Sequence, residues 1–178
     1  DELLPDVEVT GRFITKISSG ANVLSDSVVD GFTISGDDAS GSVLRNLKFG
    51  GFSNGSAVQV VDSSGVLVDE VTIGITGSNI RSASRFGILV TGDSAGTSVL
   101  NTEIVSAEQA GIRVEENATG TQISGVTLGR NYGSTETPDI FWNETGLEVA
   151  ASDVRLGIET ESWKVLDYGT GAGSLSGF

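Results

Sequence analysis

Asp37-Asp38, Asp62 and Asp93 recur beside Gly and Ser at comparable points along the chain. Carboxylates gathered in this way could hold calcium through their oxygens, or serve as the acid and base of glycoside hydrolysis. Tight turns select the same residues, because Asp bonds to its own backbone and tolerates left-handed geometry. The turn reading accounts for all four without a site. Glu115-Glu116 is a second acidic doublet, but neighbours in a strand face opposite ways and cannot form a facing pair. A lyase would want a Lys or Arg base near an acidic cluster, and the candidates are Arg81 and Arg85 in a long insertion, residues 77–86. A second insertion, residues 130–139, carries Arg130 and Tyr132. Cationic donors and an aromatic are what interfaces favour, so these four residues are the candidate partner contacts. No catalytic, cofactor-binding or metal-ligating set is assigned, and calcium on the turn carboxylates is the one cofactor the residues could support.

Asn54-Gly55-Ser56, Asn117-Ala118-Thr119 and Asn143-Glu144-Thr145 read as glycosylation acceptors, relevant only to a secreted chain in a glycosylating source. Trp142 and Trp163 have the chemistry of sugar platforms, although large aromatics mainly supply buried area.

Composition narrows the classes. The 178 residues carry 10 Lys and Arg against 24 Asp and Glu, a net charge of −14. Such a balance leaves no basic face for nucleic acid and disfavours anionic membranes. It equally disfavours polyanions held by charge alone; its plainest consequence is solubility. There is no Cys and no His, which removes disulfides, thiolate chemistry and the usual zinc and haem ligands. There is no Met, so the sequence is expected to be processed or part of something longer. No apolar run is long enough to span a bilayer as a helix.

The elements that would position these residues follow from a repeated phrase. It reads Leu44-Arg45-Asn46-Leu47-Lys48-Phe49, then returns from Val68, Leu100, Ile123 and Ala151. A repeat of roughly 20 to 30 residues built of short alternating strands means a β-solenoid. The 25 Gly and only two Pro agree with many tight turns. Each repeat offers a first strand after a small residue: Phe32-Thr33-Ile34, Ala57-Val58-Gln59-Val60, Ile88-Leu89-Val90, Ile112-Arg113-Val114 and Ile140-Phe141-Trp142. A turn rich in Gly, Asp and Ser leads to a second strand, and a bend at residues such as Asn46 or Gly125 leads to a third. Val58, Val60, Val68, Val71, Ile73, Ile88, Val90, Ile112, Val114, Ile123, Val126 and Leu128 are the expected interior. Glu103 falls where Leu47, Val71, Val126 and Val154 stand, so a local register shift is expected there. The expectation is an all-β, single-domain, right-handed parallel β-helix of about six rungs of three short strands, roughly 30 Å tall. Residues 1–22 form an N-terminal cap or attachment segment, 23–156 the rungs and 157–178 a C-terminal cap. Phe13 and Ile14 would cover one end, and Trp163, Val165, Leu166 and Tyr168 the other.

The rung running from Gly87-Ile88-Leu89-Val90 through Leu100-Asn101-Thr102 to Gly111 resembles the right-handed parallel β-helices of pectate lyases, polysaccharide epimerases and phage tailspikes. The resemblance spans about residues 22 to 156 and implies the scaffold rather than an activity. The Asp-Pro-His-Asp run of alginate epimerases and the nonapeptides of calcium-binding β-rolls are missing. What the resemblance implies is a virion-surface or extracellular setting. The expected role is a non-catalytic structural or interaction protein, such as a capsid decoration, fibre or spike component. Its expected partners are homotrimer subunits, other virion or surface proteins, or a polysaccharide, and neither nucleic acid nor membrane. The alternative is a carbohydrate-active enzyme, a lyase, hydrolase or epimerase, or a fragment of one.

Overall fold

The computed structural model describes residues 8–10, 30–49, 52, 55–76, 79–80, 85–131, 140–141 and 143–157. Their only helical element is a single 3-10 turn, Asp37–Ala39. Three parallel sheets carry the architecture. The first stacks Phe32–Ser35, Ser56–Val61, Phe86–Thr91, Ala110–Val114 and Thr145–Val149 in that order. The second stacks Glu8–Thr10, Val43–Arg45, Leu67–Asp69, Ser98–Leu100, Gln122–Ser124 and Arg155–Leu156. The third stacks Lys48–Phe49, Thr72–Ile73, Glu103–Ile104 and Thr127–Leu128. The chain visits the sheets in rotation and returns to each one strand further along. That is a β-helix-like solenoid.

Like residues pile on like. Val58, Ile88, Ile112 and Leu147 are in register in the first sheet, as are Ile34, Val60, Val90, Val114 and Val149. The second sheet aligns Leu44, Val68, Val99, Ile123 and Leu156. Of the expected interior residues, all but two are buried; Val126 and Leu128 are half-buried and pack against the core. Both belong to the coil that ends the third sheet, where no described strand stacks beyond them.

The bends follow from backbone geometry. Asn46, Asn101 and Gly125 all take positive φ, at 56°, 47° and 64°, and so does Glu70, at 53°. The amides of Asn46, Glu70 and Asn101 each donate to a carbonyl of the next coil, so the turn is held by the ladder it interrupts. The ladder's hold explains a Glu in a conformation that usually selects Asn or Gly.

Polar residues inside the turns are satisfied locally. The hydroxyls of Ser42, Thr97 and Thr121 donate to the carbonyls of Ala39, Ser94 and Ala118 at 2.6, 3.3 and 2.8 Å. A hydroxyl bonded three residues back removes the penalty of burying it.

The register differs from the sequence reading in three places. The shift expected at Glu103 is present: Glu103 pairs with Thr72 and Thr127 and is half-buried, while Thr102 takes the buried position beside Val71. The phrase therefore begins at Val99, which pairs with Val68 and Ile123, and not at Leu100. The copy placed at Ala151 is no copy. Leu156 pairs with Ile123, so residues 151–153 belong to the preceding turn. Finally, Ile140–Phe141 is not a first strand. Leu147 and Val149 take that place beside Ile112 and Val114, because they restore the alternation of inward apolar residues. Part of the segment expected to be an N-terminal cap, Glu8–Thr10, is itself a strand on the second sheet. Phe13, Ile14, Trp163, Val165, Leu166 and Tyr168 lie outside the described residues.

Candidate functional site

The two insertions are rooted in short antiparallel hairpins. Ile75–Thr76 pairs with Asn79–Ile80, and Arg130–Asn131 pairs with Ile140–Phe141. The first hairpin directly follows the third-sheet strand Thr72–Ile73, and the second follows Thr127–Leu128. Glu103–Ile104 stands between those strands and passes to the first sheet through the short connector 105–109. Both hairpins thus leave the same corner, two coils apart. At about 4.8 Å per strand, their roots lie about 10 Å apart.

A glycine with left-handed geometry follows each strand that carries a hairpin: Gly74 at φ 88° and Gly129 at φ 79°. At Gly74 the neighbour also forbids a side chain, since a Cβ there would run into the Val105 carbonyl oxygen. The second hairpin is fastened on its return by Asn143, which is buried. Its Oδ1 accepts from the Ala107 amide at 2.8 Å, and its Nδ2 donates to the Ile104 carbonyl at 3.0 Å. Both atoms of the sequon amide are therefore committed to the fold. Replacing Asn143 with Ala strands the Ala107 amide, which costs about 1–3 kcal/mol, while the Ile104 carbonyl keeps its bond from the Gly129 amide at 2.8 Å. Urea denaturation should show the midpoint lowered with an unchanged slope. A variant as stable as the parent would remove Asn143 from this role.

No protein-family model, curated protein or solved structure matches this chain. Its own side chains therefore carry the functional argument.

Arg85 is exposed at the foot of the first insertion. Its Nε donates to Gln109 Oε1 at 2.7 Å, and Gln109 ends the connector between the hairpins. The guanidinium carbon lies 5.2 Å from the centre of the Phe86 ring. Phe86 joins Leu89 and Ala110 in a small buried cluster apart from the main core. Arg113 approaches the same ring at 5.4 Å. Its charge is answered by Glu115 and Glu148, each at 3.3 Å, and Glu115 also accepts from the Thr91 hydroxyl. Sequence reasoning missed Gln109 and Arg113. Strand alternation was the available signal for Arg113, because it puts that residue outward in register with Leu89. Of the other expected contacts, Arg130 is placed by its backbone alone, while Arg81 and Tyr132 lie outside the described residues, as do Trp142 and Trp163.

The acidic residues sit at a different corner, between the first and second sheets. Asp37, Asp38, Asp62 and Asp93 are found there, and Asp62 Oδ1 accepts from the Asp93 amide at 3.0 Å. That bond ties one turn to the next coil. Among the described residues, no three Asp or Glu converge into a set able to hold a metal ion.

Proposed function

We propose that this chain is a non-catalytic structural and interaction protein of a virion or cell surface. In this reading it is a decoration, fibre or spike component that uses the solenoid as a rigid spacer. The solenoid is one right-handed domain of about six rungs of three strands, since parallel crossover connections are right-handed almost without exception. Residues outside the rungs cap its ends, which would otherwise offer strand edges to other chains. The contact surface is the corner that carries the hairpins, with Arg81, Arg85, Arg130 and Tyr132 as its contact residues.

The observation that carries this reading is the placement of the hairpins. An otherwise regular coil gains nothing from ordering extra loops, and long loops in compact domains are usually either functional or disordered. Two of them are rooted at one corner, two coils apart. The acidic turns, by contrast, are explained by turn chemistry and by bonds to the next coil.

The test is turnover. Incubated with neutral and acidic polysaccharides, the protein should release no new reducing ends and no unsaturated products. Clear product formation, abolished by Asp37→Asn or Asp38→Asn, would instead identify a carbohydrate-active enzyme.

A further inference from the structure

Arg45, Arg113 and Arg85 differ in how their charge is answered. Arg45 meets Asp69 at 3.1 Å, and Arg113 meets two glutamates. Arg85 meets only the neutral amide oxygen of Gln109 and no carboxylate among the described residues. The chain has 24 acidic and 10 basic residues, yet among the described residues Arg85, like Lys48 and Arg155, makes no ion pair. The guanidinium is nevertheless positioned, by Gln109 at Nε and by the Phe86 ring beside it. With Nε occupied, the two terminal nitrogens form an end-on fork that matches both oxygens of one carboxylate. Holding the fork in place beforehand reduces the side-chain entropy that binding must cost.

We propose that Arg85 is a carboxylate-receiving site, filled by an exposed aspartate of a second copy of this chain. The proposal rests on the hairpin corner being the contact surface. Charge complementarity selects the occupant. Asp37 and Asp38 stand side by side on the 3-10 turn, whereas Asp62 already serves the Asp93 amide. A long polyanion would meet the repulsion of a −14 chain along its whole length. A second copy need bring only one acidic turn to the arginine, and repulsion between the remaining charges is screened beyond about 8 Å at physiological salt. Because donor and acceptor lie on different patches, the contact is heterologous, and its repetition gives a ring where the rotation closes and a filament where it does not.

Sedimentation velocity on the full chain, across a concentration series, tests this. The parent should self-associate. Arg85→Glu should weaken association at least about tenfold, and so should Asp37→Lys combined with Asp38→Lys. An equimolar mixture of the two variants should associate, because one supplies the intact aspartates and the other the intact arginine. Arg85→Gln, with the parent's melting temperature, separates a lost contact from a lost fold. A monomeric parent, an Arg85→Glu variant that associates as well as the parent, or a mixture no stronger than its components would overturn the proposal. So would a soluble polyuronate that binds the monomeric parent and not Arg85→Glu, since the carboxylate would then come from a glycan. Polysaccharide turnover would sink the scaffold reading, whereas a monomeric parent sinks this contact alone.

Discussion

Val71→Asp should prevent folding or strongly lower the melting temperature. Val71 is 1% exposed and belongs to the main core, at the point where the chain turns from the second sheet into the third. Its carbonyl accepts from the Glu103 amide at 2.9 Å, and the amide of its neighbour Thr72 donates to Leu47 at 2.8 Å. The backbone is thus held on both sides and cannot rotate the new carboxylate outward without breaking two ladders. Among the described residues no Lys or Arg is buried, so no cation is at hand to pair with the new carboxylate. Losing a buried valine costs about 1.5–3 kcal/mol, and burying a carboxyl group without partners adds several more. Together they approach the about 5–15 kcal/mol that stabilises a typical domain. Circular dichroism should show a lost β signal, or a melting temperature lowered by at least about 10 °C. A variant that melts with the parent would mean that the assigned register is wrong.

Gly74→Ala is the second large effect, and it acts where a hairpin begins. Gly74 combines φ 88° with a Val105 carbonyl oxygen that occupies the space a Cβ would take. Gly36 has a similar φ, 86°, with ψ 163°, and nothing within 4 Å of its Cβ position. Gly36→Ala therefore measures the strain of a positive φ without a clash, about 1–3 kcal/mol. Gly74→Ala adds a clash with backbone that can be relieved only by moving the connector or the hairpin root, for a total of about 3 kcal/mol or more. At roughly 2–4 °C per kcal/mol, the two variants should be clearly separated in a melting experiment. Equal effects at both glycines would show that the coils can spread at this corner, contrary to the packing described.

Much of the architecture was legible because it is local. The alternation around Val58-Gln59-Val60 and Ile112-Arg113-Val114 states which side chains face inward, and the four apolar residues of those runs are buried. Asn46 and Gly125 announced the bends, and both have the expected positive φ. Register was less legible. Val99 and Leu100 are both apolar, so two frames fit the phrase, and only the hydrogen bonds from Ser98 to Val66 and from Gln122 to Thr97 separate them. Ile140-Phe141-Trp142 imitates a first strand by composition, yet Ile140–Phe141 pairs with Arg130–Asn131 in a hairpin. The site was partly legible. Its loops and Arg85 stood out by length and charge, while Gln109 gave no signal. An amide becomes interesting only when folding brings it 2.7 Å from an arginine 24 positions away.

By itself, the sequence determined the β class, the solenoid repeat, the bends and most of the interior, because periodicity and turn chemistry act between near neighbours in the chain. The tertiary structure alone decided which coil lies on which, that both hairpins leave one corner, that Asn143 is spent on the fold, and that carboxylates answer Arg113 while an amide answers Arg85. Those outcomes depend on contacts between residues a full coil or more apart. A one-residue slip in stacking would change every one of them while leaving the local pattern intact.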